Sequence, residues 1–162
     1  MTTPVRTLQA GFTLIELIIV IVVIGVLSVY AAVKNGSSGD YTLHSQAQTM
    51  VSDLRHAQAL ATTLGKSLRI SIITGTNGSY SVSCVTPGAS PCNSVVNTPM
   101  TNPLTGSNFA VALEKDISLS GTATLDINSL GKPAAAAAYV LTAGSTSKNV
   151  TVSAVTGFVN AP

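Results

Sequence analysis

The sequence predicts an α+β fold: a long N-terminal helix whose first half spans a membrane and whose second half packs on a largely antiparallel β-sheet. Three observations predict it. An apolar run covers residues 12–33, an amphipathic pattern covers residues 41–64, and short alternating segments separated by turns follow residue 66. A helix with one apolar face needs a covering layer, so the short strands are expected to form a sheet against it.

The apolar run is long enough to cross a bilayer as a helix. Its 22 residues span about 33 Å at about 1.5 Å per residue. Glu16 is its only charged residue. A carboxylate inside a spanning helix costs about 2.5–3.5 kcal/mol, so such a residue usually has a partner and a role. Two other interpretations stay open on length alone: an uncleaved signal anchor, and a secretory signal peptide cleaved near residues 28–32.

A polar, glycine-rich segment, residues 34–40, separates the run from the second helical pattern and predicts a break or hinge. Asp40 is expected to be the N-cap of the second helix, and Gly65 its C-terminal stop. The apolar residues recur at three- and four-residue steps and form one stripe: Leu43, Ala47, Met50, Val51, Leu54, Ala57, Ala61 and Leu64.

Strands are predicted after the second helix. Residues 66–73 alternate, residues 74–79 contain an Asn-Gly turn, and residues 80–84 return, which predicts a β-hairpin. Residues 85–106 contain four prolines and are expected to form a surface loop. The remaining strand candidates are residues 109–113, 117–119, 122–127, 139–142, 149–153 and 157–159, whereas the alanine run at 134–138 has no predicted state.

The two cysteines, Cys84 and Cys92, enclose seven residues. In a domain outside the membrane, so close a pair is most simply a disulfide that closes a loop. A metal site is disfavoured because two thiols do not complete a tetrahedral shell and neither histidine is near in sequence. The C-x-x-C spacing of a redox pair is absent.

Composition excludes several functions. Only 9% of residues are charged, the formal net charge is +2 and there is no basic run, so a nucleic-acid partner is not expected. His44 and His56 do not share a helix face, and the sequence has no G-x-S-x-G elbow, P-loop or dinucleotide turn. The scattered acidic residues lack calcium-loop spacing. We therefore expect no catalytic residue, no metal, no cofactor and no enzymatic activity.

The residues at the start of the apolar run carry a family resemblance. Gly11 and Phe12, followed by Glu16 and the long apolar run, resemble the prepilin peptidase motif of type IV pilins and pseudopilins. The resemblance implies cleavage between Gly11 and Phe12, N-methylation of Phe12 and an assembly contact at Glu16. The chain then divides into a leader (1–11), a transmembrane and filament-core helix (12–35) and a periplasmic α+β head (36–162).

A second resemblance covers the C-terminal half. Residues 128–133 and 155–159 are similar to short motifs of H-type pseudopilins and related minor pilins, including the mannose-sensitive haemagglutinin pilus type. The chain also departs from the family in two places. Its leader has a single basic residue, Arg6, and Val33 stands where many members have proline.

The resemblance implies a structural subunit, a minor pilin or a pseudopilin of a type IV pilus or a type II secretion pseudopilus. Its expected partners are prepilin peptidase, other pilin or pseudopilin subunits and the bacterial inner membrane. The head would be periplasmic before the subunit enters the filament. The alternatives are a major pilin or adhesive tip subunit that binds a surface ligand and, with less support, a membrane-anchored enzyme.

Overall fold

The computed structural model describes residues 13–35, 38–114 and 116–161 of the 162-residue chain. The chain divides into two compact units, Met1–Ser38 and Gly39–Pro162, and we call the second unit the head. The described residues form two helices, α1 (Leu14–Asn35) and α2 (Ser38–Leu64), and nine strands. The strands are β1 (Leu68–Ile73), β2 (Gly75–Thr76), β3 (Ser79–Cys84), β4 (Ala110–Ala112), β5 (Ile117–Gly121), β6 (Thr124–Ile127), β7 (Ala137–Ala143), β8 (Thr146–Val152) and β9 (Val159–Asn160).

Both ends of the predicted 34–40 break belong to helices, since α1 ends at Asn35 and α2 begins at Ser38. The prediction that Asp40 caps α2 is wrong, because α2 already includes the two residues before it. Asp40 instead belongs to the first turn of the helix.

The C-terminal stop at Gly65 is confirmed. Gly65 has a φ of 62°, which glycine adopts without steric cost. The Lys66 N–H donates to Ala61 O and the Gly65 N–H donates to Thr62 O, so the end of α2 is a Schellman motif. These two bonds satisfy carbonyl groups that would otherwise lack partners.

The apolar stripe of α2 is confirmed as the centre of the head. All of its predicted members are buried except Leu64, which is half-buried, and Leu60 adds a further buried position. These side chains form one cluster with the inward-facing residues of the strands. The fold is therefore α+β, with α2 packed on antiparallel sheets.

The strands form two sheets rather than the single sheet that was predicted. One sheet has the order β4-β3-β1-β6 and the other has the order β2-β5-β7-β8-β9. The predicted hairpin is present as β1 and β3, with Ile70 opposite Val82. Its turn contains β2, which pairs with β5 of the other sheet. The end of the hairpin therefore links the two sheets.

A close approach fixes this link. A Cβ atom added to Gly78 would lie 2.5 Å from the Leu119 Cβ, so the turn can approach β5 only with glycine at this position. The alanine run, for which the sequence predicted no state, is partly a strand: its last two residues, Ala137 and Ala138, begin β7.

The prediction of a surface loop over residues 85–106 is wrong in part. Met100 is fully buried and Cys92 is 5% exposed. The Met100 N–H donates to Val82 O (2.8 Å), and the Phe109 N–H donates to Met100 O (2.7 Å). The segment thus returns along β3, and Met100 and Cys92 enter the core, whereas Val95, Val96 and Leu104 stay exposed.

We expect Leu54→Asp to lower the free energy of unfolding by at least about 3 kcal/mol, because Leu54 is 3% exposed and a carboxylate there would be buried without a partner. Denaturant unfolding of the full chain in detergent measures this effect. Ser52→Asp, at an exposed position of the same helix, is the matched control and should change stability by no more than about 0.5 kcal/mol. An unchanged midpoint for Leu54→Asp would refute the packing of α2.

The two buried tyrosines provide a second test. The Tyr80 hydroxyl donates to Asp53 Oδ2 (2.6 Å), whereas the buried Tyr139 hydroxyl has no hydrogen-bond partner among the described residues. Tyr80→Phe should cost about 1.5–3 kcal/mol, since it removes a hydrogen bond to a charged group. Tyr139→Phe should be neutral or stabilising by about 1 kcal/mol, because it removes a buried hydroxyl whose desolvation is not compensated. Equal losses in the two variants would contradict this assignment.

The same tyrosines predict a loss of stability at alkaline pH. Burial raises the pKa of Tyr139 to about 12. Burial, followed by the hydrogen bond to Asp53, also raises the pKa of Tyr80. A raised folded-state pKa gives stability that is complete below the unfolded value, about 10, and is lost as the pH rises towards the folded value. The free energy of unfolding should therefore fall above about pH 10, less steeply in Tyr80→Phe.

Candidate assembly site

Helix α1 presents an uncovered apolar surface. Every large apolar side chain from Leu14 to Val29 is exposed, between 45% at Val20 and 76% at Leu14. Soluble monomers rarely expose apolar patches of this extent, and such patches mark contacts with protein or lipid. The residues of α1 therefore form the candidate assembly site.

Within residues 13–35 and the described part of the head, no helix is long and apolar enough to cross a membrane. The membrane-spanning first half of the helix stays a prediction.

The beginning of α1 positions Glu16. Thr13 precedes the helix, and its Oγ1 accepts a hydrogen bond from the Glu16 N–H (3.3 Å). Thr13 O accepts from the backbone N–H groups of Glu16 (3.1 Å) and Leu17 (3.2 Å). Thr13 is therefore the N-cap and Glu16 occupies the third helical position, which is the spacing of a capping box. The carboxylate lies in the first turn, where the helix dipole favours negative charge.

The sequence analysis missed the role of Thr13, although the Thr-x-x-Glu spacing is a local signal for it. Gly11 and Phe12 lie outside the described residues. Cleavage between them, methylation of Phe12 and a contact between its amine and Glu16 remain predictions.

Cys84 and Cys92 form a disulfide in the structure, with a Cα–Cα distance of 5.6 Å. Cys84 is the last residue of β3, and both cysteines are 5% exposed. The Thr101 N–H donates to Pro91 O (2.8 Å), next to Cys92. The bond thus fixes the first part of the 85–106 segment beside the strand from which it leaves.

Arg69 forms an ion pair within its sheet and also contacts the 85–106 segment. Arg69 donates to both carboxylate oxygens of Asp126, over 2.6 and 2.8 Å, across paired positions of β1 and β6. Arg69 Nη1 also donates to Asn97 Oδ1 (3.4 Å). The hydrogen bond from Arg69 holds the pKa of Asp126 below its usual value. Because both side chains are about one-third exposed, the ion pair contributes little to stability, and its main effect is to position the groups that it joins.

The histidines of α2 lie apart from any cluster of acidic groups or thiols. The His56 ring packs on Phe109 at 5.5 Å between centroids. Asp53, one helical turn before His56, accepts a hydrogen bond from the Tyr80 hydroxyl with its carboxylate. Among the described residues, no group of three His, Cys, Asp or Glu side chains could hold a metal ion.

Two side chains of α2 hold the C-terminal segment, and the sequence analysis missed both. Arg55 Nη2 donates to Val159 O (2.8 Å), and Gln58 Nε2 donates to Gly157 O (2.7 Å). The Arg55 guanidinium also lies 5.9 Å from the centroid of the Phe158 ring. No local signal reveals these contacts, because the partners are about 100 residues apart.

Comparison with known proteins gives one finding from the sequence and one from the structure. Residues 6–32 match the family model described as the prokaryotic N-terminal methylation motif. No curated protein shows significant sequence similarity to the chain.

The second finding concerns the fold. The type IV minor pilin FimU of Pseudomonas aeruginosa aligns with a TM-score of 0.53 at 11% identity, over 77% of this chain and 96% of FimU. The minor pseudopilin EpsH from the type 2 secretion system of Vibrio cholerae aligns with a TM-score of 0.51 at 12% identity, over 74% of this chain and 95% of EpsH. Motif and fold together support the type IV pilin and pseudopilin family. The resemblance indicated by residues 11–16 is thus confirmed, and these findings support a structural pilin subunit.

The disulfide provides a test of the head. Non-reducing peptide mapping of the native full chain should recover Cys84 joined to Cys92. Replacing both by alanine should lower the free energy of unfolding by about 2–3 kcal/mol, because the short loop then gains freedom in the unfolded chain. Two freely alkylated thiols in the native protein would contradict the pairing and the oxidising compartment that it implies.

Proposed function

We propose that the chain is a structural, non-enzymatic subunit of a helical filament, a minor pilin or a pseudopilin, that assembles through α1. One observation carries the proposal: α1 leaves its apolar surface uncovered, and most of this helix lies within the residues that match the methylation motif, 6–32. The filament is a type IV pilus or a type II secretion pseudopilus. The titles of the similar structures name a minor pilin and a minor pseudopilin, which supports the minor class.

Processing would prepare the subunit for assembly. Prepilin peptidase would cleave between Gly11 and Phe12, and the new Phe12 amine would be methylated. The amine would then lie close in sequence to the first turn of α1, which contains Glu16. A single cut thereby creates a cation beside the only acidic residue of the apolar run.

Storage in the inner membrane would precede assembly. The apolar run, which begins before the described part of α1, would anchor the chain in lipid, with the head in the periplasm. Transfer from lipid to a filament costs little only if the neighbouring helices replace the lipid contacts, since there is no hydrophobic gain between two apolar environments. The helices of neighbouring subunits would therefore cover the exposed residues of α1.

Glu16 would set the axial position of each incoming subunit. An unpaired carboxylate among apolar helices is costly, and a cation at one fixed position removes that cost. The Phe12 amine of a neighbour is the cation that the cleaved chain offers. No observation favours the alternative of a major pilin or an adhesive tip subunit.

We predict that Glu16→Leu is inserted and cleaved normally but enters filaments at least tenfold less efficiently than the parent chain, because the charge that defines the docking position is gone. Glu16→Gln, which keeps the shape, should fail similarly. Ser28→Ala is the control: it removes another polar group of α1, a hydroxyl that donates to Ile24 O within the same helix, and should assemble normally. Immunoblots of sheared filaments beside the membrane fraction measure incorporation.

Intact-mass analysis of the same samples shows where each variant is cleaved and whether its new N-terminus is methylated. A mature chain that begins at methylated Phe12 is expected in all variants. A chain that begins near residue 32 would overturn the pilin assignment and indicate an ordinary signal peptide. Normal incorporation of Glu16→Leu would leave the family assignment in place and refute the docking role of Glu16.

A further inference from the structure

Two loops of the head expose apolar side chains at one place. Leu130 is 81% exposed, Val155 is 80% exposed and Phe158 is 60% exposed. We call these three residues the loop patch. Leu130 lies between β6 and β7, and the other two lie between β8 and β9. The interior of the head does not need these side chains, because its core is closed without them.

The two loops adjoin each other through their glycines. A Cβ atom added to Gly157 would lie 3.3 Å from Pro133 Cδ, 3.7 Å from Gly131 O and 3.1 Å from Gln58 Nε2. A Cβ atom added to Gly131 would lie 3.2 Å from Gln58 O and 3.0 Å from Thr62 Cγ2. Both loops therefore rest on the same turn of α2, and the exposed residues next to the glycines share one region of the surface.

Hydrogen bonds hold this surface in shape. The Asn128 side chain accepts from the N–H groups of Leu130 and Lys132, both at 3.0 Å. In the second loop the Ser153 N–H donates to Phe158 O (3.0 Å), and the Gly157 N–H donates to Ser153 O (2.9 Å). The bonds from Arg55 and Gln58 tie this loop to α2. A preorganised surface loses little entropy on binding, which favours a specific contact.

The charges around the patch have one sign. Arg55 and Lys132 are exposed beside it, and neither loop contains a carboxylate. The exposed acidic residues Glu114 and Asp116 lie elsewhere, against Gln46 and Asn77. A complementary partner therefore presents apolar side chains surrounded by carboxylates.

We propose that the loop patch docks on the head of the neighbouring subunit in the filament, at a surface with apolar side chains and an acidic rim. The inference rests on the proposed function, because only a filament places a second head beside this one repeatedly. An anionic lipid surface shares part of this chemistry, but it binds best to surfaces with many mobile cations. The loop patch has three fixed apolar side chains and two cations. The contact is heterologous, as an open helical array requires.

Photo-crosslinking tests the proposal on the full chain. A benzoylphenylalanine placed at Leu130 or at Val155 should crosslink, in sheared filaments, to a head peptide of another subunit that contains carboxylates. The control position is Val96, which is 54% exposed in the 85–106 segment and lies outside the patch. Crosslinks to lipid, no crosslinks, or equal yield at Val96 would overturn the proposal.

Substitutions separate this contact from the assembly role of α1. Val155→Asp and Lys132→Glu should each lower incorporation at least fivefold, with cleavage at Gly11 unchanged, whereas Val96→Asp should not. The unfolding midpoints of the three variants should match the parent, because all three positions are exposed. Normal incorporation of the patch variants while Glu16→Leu fails would refute the docking surface alone. Normal incorporation of Glu16→Leu as well would refute the α1 docking mechanism.

Discussion

Burial of one face of α2 is the constraint on which the head depends. The stripe of α2 requires an apolar layer, and paired positions of neighbouring strands supply it. Ile70 lies opposite Val82 on one side and Leu125 on the other, and all three are buried. In the second sheet Tyr139 lies opposite Val150, and both are buried. A shift of one residue would turn such a row outward, so the packing on α2 also fixes the strand register.

Local signals account for what the sequence could predict. The stripe of α2, the stop at Gly65 and the β1–β3 hairpin each follow from residues close together in the chain. The second sheet and the burial of Met100 depend on partners that are distant in sequence, and no periodicity reports them. The same division holds for the site. Glu16 was found because its charge interrupts an apolar run, whereas Arg55 and Gln58 act through contacts with the C-terminal segment.

Few residues of the chain are charged, and the charged groups described in the head act separately, either in a structural contact or at the surface. Asp53 accepts from Tyr80, Arg69 binds Asp126, and Arg55 holds the backbone at Val159. Exposed ion pairs contribute little stability, so the Arg69–Asp126 pair positions its two strands more than it stabilises them. The few charges that face solvent then strongly influence which partner surfaces can bind the head, since like charges at a contact are costly.

In the proposed filament, Glu16 would be in a different electrostatic environment from the carboxylates of the head. Water competes for every charge on the surface of the head, and this competition reduces both the benefit of a pair and the cost of its loss. Among apolar helices that exclude water, the same carboxylate is costly without a partner and strongly favoured with one. An apolar surface such as that of α1 does not by itself fix the axial position of a neighbouring helix, because dispersion contacts are similar at many axial offsets. In the proposed filament, the charge of Glu16 would fix that position, and Thr13 accepts a hydrogen bond from the backbone N–H of Glu16 in the first turn of the helix.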